Sequence, residues 1–330
     1  MLTRQWPNRL KRMMNISIGK ISVGLCGVAI AGLLTWAFLS GPSSTSDHRA
    51  CLSPGEIAPE TAGMKFIPGG AFAMGATAYY AEEGPVRRET VEGFWIDATE
   101  VTNAQFAEFV EATGFVTVAE KGIEGIVPPG AAVFQSPSSE AEGRWIYHGT
   151  ANWRHPEGEG SSLEGRENFP VVQIAYQDAA AYAAWKDRAL PTEIQWEYAA
   201  RGGLDGATYA WGEEREPGGV YLANNWQGFF PFHDEGADGF IGRAPVGCYP
   251  PNGYGLFDMI GNVWEWTADA YAPPGKALGL MKGGSFLCAP NYCRRYRPAA
   301  RHPQEVDLGT DHIGFRTVSS GRPAPQGSAR

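Results

Sequence analysis

The chain has 330 residues, 43% of them hydrophobic, enough for one large domain or two ordinary ones with a sizeable core. Its 43 glycines and 11 tryptophans point to many turns wrapped around aromatic clusters, and its five cysteines are too few for a disulfide-built scaffold. The first 40 residues carry five basic side chains (Arg4, Arg9, Lys11, Arg12, Lys20) and no acid. The other 290 carry 22 basic and 36 acidic groups, a net of −14, which argues against nucleic acid as the partner and fits bound cations, a basic peptide or simply solvated acids.

Residues 1–20 read as a basic cytoplasmic N-terminus. Ile21 to Leu39 is a run of 19 residues without a charge; as a helix it spans about 28 Å, close to the hydrocarbon thickness of a bilayer. The basic residues precede it, which predicts an N-in signal anchor with the rest of the chain extracytoplasmic. A cleaved signal peptide is the alternative, with Gly41-Pro42-Ser43-Ser44 as its exit. Residues 40–63 read as a Ser-, Pro- and Gly-rich linker, 64–320 as one domain, and 321–330 as a disordered tail. In an oxidising compartment Cys51 and Cys248 are free to pair or not; their spacing decides nothing.

Within the domain, the alternation from Met64 to Met74 predicts a strand and hairpin, and Phe94-Trp95-Ile96-Asp97 a buried strand. Thr102 with Gln105 three residues on forms a capping box, opening a helix whose apolar face is Phe106, Phe109 and Val110 and which Gly114 ends. Residues 121–168 read as loop, Val171-Val172-Gln173-Ile174 as a strand, and Gln177 to Lys186 as a helix with Tyr182 and Trp185 inward. Thr192 and Gln195 form a second capping box. After Gly202 loops are expected to dominate.

The densest chemistry lies in Gly283-Gly284-Ser285-Phe286-Leu287-Cys288-Ala289-Pro290-Asn291-Tyr292-Cys293-Arg294-Arg295-Tyr296-Arg297. Two thiolates five residues apart can close on one soft metal ion such as Cu(I), or form a disulfide, structural or redox-active. The arginines favour the anionic sulfur needed for either metal binding or exchange. Ser285 either bonds a sulfur or an oxygen species or finishes a turn.

Further motifs stand in order: Glu100-Val101-Thr102-Asn103, Asn152-Trp153-Arg154-His155-Pro156, Leu190-Pro191-Thr192-Glu193, Trp196-Glu197-Tyr198-Ala199-Ala200-Arg201-Gly202-Gly203, Asn252-Gly253-Tyr254-Gly255-Leu256, Gly261-Asn262-Val263-Trp264-Glu265-Trp266 and Gly314-Phe315-Arg316. Together with the cysteine segment they resemble the formylglycine-generating enzyme (sulfatase-modifying factor) family from residue 64 to about 318. The resemblance implies a single irregular α+β domain of the C-type-lectin-like superfamily with little regular secondary structure. It also implies an O2-dependent oxidase that converts a cysteine of a sulfatase-type protein to Cα-formylglycine.

By that resemblance Cys288 and Cys293 bind one Cu(I), Ser285 is catalytic, and Trp264 covers the oxygen pocket. Two structural Ca2+ sites are implied. One is formed by Asn224, Asn225, Asp238 and Phe240, with Asn225 and Phe240 acting through carbonyls. The other is formed by Asp258, Gly261, Val263 and Glu265, with Gly261 and Val263 acting through carbonyls and Glu100 as a weaker further ligand. Arg297, Arg301 and His312 are implied as substrate-binding residues. The implied partner is an unfolded or nascent chain bearing Cys-x-Pro-x-Arg.

The segment 301–312 departs from the family pattern, which puts substrate specificity in question more than chemistry. Its His302 and His312 read as solvent-facing loop residues or as extra metal ligands. Two other functions remain open: a non-heme iron oxidoreductase of the pyoverdine-maturation type, needing a His and carboxylate cluster, and a noncatalytic lectin-like binding domain with a structural Cys288–Cys293 disulfide.

Overall fold

The order of elements alternates short strands with short helices along most of the chain. Strands β1 (Met64–Ile67), β2 (Gly70–Met74), β3 (Arg87–Val91) and β4 (Phe94–Asp97) come first. Helices α1 (Asn103–Thr113) and α2 (Val118–Lys121) follow, then β5 (Ala131–Gln135) and β6 (Arg144–His148). Next are α3 (Tyr176–Trp185) and α4 (Glu193–Arg201). The last elements are β7 (Trp264–Ala270), β8 (Leu278–Lys282), β9 (Arg301–Glu305), β10 (Ile313–Gly314) and β11 (Val318–Ser319).

The structure is a computed structural model that describes residues 51–52, 63–138, 143–271 and 278–321. The expected N-terminal segment and anchor, most of the linker and nearly all of the tail lie outside the described residues. Among the described residues no helix is long and apolar enough to cross a membrane. The described residues all belong to one compact unit.

Three of the sequence expectations hold in detail. Thr102 caps α1 in a complete capping box with Gln105, and Gly114 ends the helix in the left-handed region at φ 66°. Thr192 and Gln195 do the same for α4. Phe94–Asp97 is the middle strand of a three-stranded sheet in the order β1-β4-β11, and Phe94 and Ile96 are buried. Helix α3 begins one residue earlier than expected; Asp178 accepts the Ala175 and Val118 amides at 3.0 Å each and so anchors the starts of two helices.

Two expectations are corrected. Val171–Ile174 is not a strand: Gln173 sits at φ 62°, and its carbonyl lies so close to Gly309 that a Cβ there would meet it at 2.5 Å. The Val171 and Gln173 amides instead bond the Val101 and Thr310 carbonyls. The stretch 121–168 is not all loop, because β5 and β6 pair antiparallel within it. Beyond Gly202 loops dominate, as expected, and the short strands set among them pair into a four-stranded sheet in the order β10-β7-β8-β9.

That last sheet places the site. Glu265 pairs with Lys282 and Lys282 with Arg301; Trp266 pairs with Met281 and Met281 with His302. Opposed residues share a face and neighbours alternate. One face therefore carries Glu265, Lys282 and Arg301, and the other Trp264, Trp266, Met281 and His302. On the charged face, Lys282 is buried between Glu197 (2.9 Å) and Glu193 (3.5 Å), and Arg301 also reaches Glu193 (2.9 Å). These pairs link α4 to the sheet.

Candidate active site

The cysteine segment leaves β8 through Gly283 and Gly284. Gly284 has φ 77°, and a Cβ on it would lie 2.7 Å from the Arg295 carbonyl and the Tyr296 nitrogen. A side chain there would push the two arms of the loop apart, so glycine is required. The Cys288 amide donates to the Ser285 carbonyl and the Cys293 amide to the Ala289 carbonyl, each at 2.9 Å. Two successive turns thus bring the sulfurs to 2.6 Å from each other, unbonded and buried. Ser285 is fully buried, and its hydroxyl accepts the Leu287 amide at 3.3 Å, so it shapes the turn that presents Cys288.

The two thiols are electrically unequal. Burial pushes Cys288 well above the usual thiol range. Cys293 is lowered, first by the hydrogen bond from Cys288 and then by Arg295, against the opposing effect of burial. Burial of Cys288 and the hydrogen bond and Arg295 charge at Cys293 thus make Cys293 the more acidic sulfur of the two. Of the arginines expected to support the anion, Arg295 is among the causes that lower Cys293. Arg294 donates to the Pro290 carbonyl, and Arg297 is committed elsewhere.

Arg297, expected as a substrate contact, is committed to other partners in the structure. It is among the largest fully buried side chains. Both of its terminal nitrogens bond the Glu83 carboxylate and its Nε bonds the Arg294 carbonyl at 2.7 Å, so it holds the loop together. Arg301 keeps a partly exposed guanidinium on Glu193. The histidines are not solvent-facing. His302 meets Trp264 edge-on with centroids 5.7 Å apart, and burial lowers its pKa. His312 packs against Trp145 with the rings tilted and their centroids 4.7 Å apart, and shares a 2.6 Å hydrogen bond with Thr310. Burial is also the first cause holding it at about 3, so it is neutral at physiological pH. Trp264, buried at the start of β7, belongs to the same apolar cluster as Cys288 and Cys293.

The two oxygen-rich sets lie side by side. The Asn262 amide donates to the Asn224 carbonyl at 2.8 Å, and Asn224 Nδ2 donates to Asn262 Oδ1 at 3.0 Å. In the first set Asp238 accepts the amides of Asn225 (3.1 Å) and Phe240 (3.0 Å); burial raises its pKa to about 6. In the second, Glu265 is occupied by Arg316 at 2.7 and 2.8 Å and by the Trp196 indole at 2.7 Å. Asp258 accepts the Gly247 amide at 2.6 Å.

Glu100 is fully buried, and its Oε2 has no hydrogen-bond partner. Burial first, then the Asp258 charge, pushes its pKa up strongly. An orphaned carboxylate oxygen beside a second carboxylate is what a hard cation would satisfy. Among the described residues, however, no three His, Cys, Asp or Glu side chains gather closely enough to hold a metal by themselves. Both sets would thus depend on carbonyls and amides, and a His and carboxylate iron cluster finds no place there.

Sequence reasoning missed Asn262, which joins the two sets, and the segment Tyr79 to Glu83, which packs on the cysteine loop. The signal for the second was present: two tyrosines and two glutamates form the natural counterpart of Arg-Arg-Tyr-Arg.

The family model of the sulfatase-modifying factor enzyme 1-like domain matches residues 52–320, and the chain belongs to this family. It is 49% identical over 288 residues to the formylglycine-generating enzyme of Mycobacterium tuberculosis, covering 77% of this chain and 96% of that protein. To the formylglycine-generating enzyme of Mus musculus it is 42% identical, covering 78% and 75%. An inactive C-alpha-formylglycine-generating enzyme 2 of Mus musculus is also 42% identical, covering 79% and 87%. Overall similarity therefore does not separate active from inactive relatives, and the site must do so. The solved structure of PvdO from Pseudomonas aeruginosa superposes with a TM-score of 0.56 at 24% identity, covering 78% of this chain and 94% of that one, which shows a shared fold.

Proposed function

We propose that this protein is a copper-dependent oxidase that uses dioxygen to convert a cysteine of a sulfatase-type protein into Cα-formylglycine. The observation that carries the reading is the pair of unbonded, buried sulfurs 2.6 Å apart at the end of the Gly-Gly-Ser turn. Two soft donors this close and shielded from water suit a low-coordinate monovalent ion. Cu(I) held by Cys288 and Cys293 would supply a binding point for the substrate thiolate and one-electron chemistry toward oxygen. The chain's own residues do the rest. Ser285 fixes the turn, Arg295 balances the anionic sulfur, and Trp264 with His302 closes the buried side against water.

Converting a CH2–SH group to an aldehyde with loss of sulfide removes two electrons, whereas reducing O2 to water takes four. The other two electrons must come from an added thiol reductant. Two structural Ca2+ ions would be held by Asn224, Asn225, Asp238 and Phe240, and by Asp258, Gly261, Val263 and Glu265. The orphaned oxygen of Glu100 supports the second set most directly. Arg301 is the substrate contact with an accessible charge; His312 would act from within the wall. The substrate is an unfolded or nascent segment of the Cys-x-Pro-x-Arg kind. It would be met outside the cytoplasm by a domain that residues 21–39 anchor to the membrane, and nucleic acid plays no part.

The test is to load the protein with Cu(I) anaerobically, add oxygen, a thiol reductant and a Cys-x-Pro-x-Arg peptide, and follow peptide mass. An aldehyde product that disappears in both Cys288→Ser and Cys293→Ser is expected. Copper binding without product would move the substrate elsewhere. Turnover that survives loss of either cysteine would end the reading.

A further inference from the structure

Two large apolar side chains stand in water beside the cysteine turn. Phe229 is 56% exposed and Phe232 66%, and their rings stack with centroids 5.9 Å apart. They flank Phe230 and Pro231, which are buried. The Phe232 amide donates to the Phe229 carbonyl at 2.9 Å, so a tight turn brings the outer two rings together. The turn is fastened to the cysteine segment at three places. The Trp226 amide donates to the Cys288 carbonyl at 3.0 Å. The Phe230 amide donates to Asn291 Oδ1 at 3.3 Å, and Asn291 Nδ2 donates to the Phe230 carbonyl at 3.1 Å. The Phe230 ring stacks on Tyr292, the residue before Cys293, with centroids 4.3 Å apart and 13° between the planes. Tyr292 is itself 48% exposed. Accessible ring surface therefore lies at both ends of one assembly: at Tyr292 beside Cys293, and at Phe229 and Phe232 around the buried Phe230-Pro231 pair.

Two stacked phenylalanines held in water forgo the hydrophobic gain that Phe230 takes beneath them. Their area limits what covers them. Together they expose roughly 200–300 Å², whereas an interface between folded proteins takes about 800 Å² from each partner. One or two side chains of an extended peptide match the smaller area. We propose that Phe229 and Phe232 form a docking ridge for the substrate chain, taking an apolar side chain that flanks the Cys-x-Pro-x-Arg core. An unfolded or nascent segment carries such side chains unburied, and its cysteine must come to the sulfurs to which the ridge is fastened. The inference rests on the functional reading above for the identity of the peptide, and it adds a determinant outside the core motif. Because the turn is bonded to both Cys288 and Asn291, ridge and sulfurs keep a fixed spacing. The ridge therefore selects an apolar residue at a set distance along the substrate, not apolar character in general.

The test uses the full chain, copper-free, in phosphatidylcholine nanodiscs, with labelled peptides followed by fluorescence anisotropy. Each peptide carries a Ser-x-Pro-x-Arg core in serine flanks, with one leucine moved through the flanking positions in turn. One position, or two of the same flank, is expected to bind roughly tenfold tighter than the all-serine peptide, the effect of burying a leucine against the ridge. Phe229→Ser with Phe232→Ser should abolish that gain, and Phe232→Leu should keep most of it. Both residues are exposed, so the thermal midpoint should move little. Core binding with no leucine gain, an equal gain at every position, or a gain that survives the double substitution would overturn the proposal and leave the substrate reading standing. A double variant that keeps the gain but changes its self-association, read by light scattering, would give the ridge to a second copy. One that keeps the gain but changes its tryptophan quenching by brominated lipid would give it to the bilayer; either result overturns the proposal. A positional gain without turnover of the matching cysteine peptide under copper and oxygen would strike the oxidase reading and leave the ridge in place. No binding by any peptide would end both.

Discussion

The two free cysteines are unequal in acidity, and this asymmetry should be directly visible. The hydrogen bond from Cys288 and then Arg295 lower Cys293 against its burial, while burial first raises Cys288. Limited alkylation of the reduced protein near neutral pH should label Cys293 well ahead of Cys288, read by peptide mapping. Equal labelling, or Cys288 first, would show that Cys293 is not the more acidic sulfur. Asp178 offers a second titration, of opposite sign to an ordinary salt-bridged carboxylate. Burial raises it to about 7 despite the Val118 and Ala175 amides that it accepts. The folded protein therefore binds this proton more tightly than the unfolded chain, whose aspartate titrates near 4. Its contribution to stability is full below about pH 4 and is lost as pH rises towards 7. Asp178→Asn should flatten that part of the urea-midpoint profile between about pH 4 and pH 7. An unchanged slope would mean that the group is ionised throughout.

At the scale of elements, the turn joining β8 to the cysteine segment is the sensitive joint. Gly284→Ala adds a Cβ at 2.7 Å from the Arg295 backbone, at a φ of 77°. Strain and displacement together should cost about 2–3 kcal/mol, and Cu(I) affinity should fall with it because the two sulfurs part. Urea unfolding and chelator competition measure the two effects. The helix starts are more forgiving: Thr192→Ala removes one side-chain cap and should cost about 1 kcal/mol. These starts were legible in the sequence because a capping box is a local pattern of four residues. The pairing of β7, β8 and β9 was not legible. β9 is built from Arg301-His302-Pro303-Gln304-Glu305, a run with no apolar alternation. It becomes a strand only because Met281 and Lys282 lie beside it to accept the register.

Across the whole molecule, Cys51 and Cys248 form a disulfide with a sequence separation of 197, tying a residue of the expected linker to a loop far along the domain. Closing a loop of this length should add about 2–5 kcal/mol. Cys248→Ser should lower the thermal midpoint by several degrees without removing Cu(I) binding, and loss of binding would show that this loop supports the sulfurs. The pair is consistent with the oxidising compartment that the N-terminal charge pattern predicts. Cys288 and Cys293, by contrast, are unbonded in the same chain.

The sequence by itself determined the family, the cysteine segment, the capped helix starts and the central β4, because each is carried by residues adjacent in the chain. Only the tertiary structure decided which charges meet. Arg297 reads as a substrate contact beside Cys293, yet it is consumed by Glu83, more than two hundred residues earlier. His302 and His312 read as loop residues, yet they pack against Trp264 and Trp145. Glu82 carries no signal of its own until Arg295 lies against it. Burial and pairing are properties of neighbours in space, and in a fold with so many long loops those neighbours lie far apart in the chain.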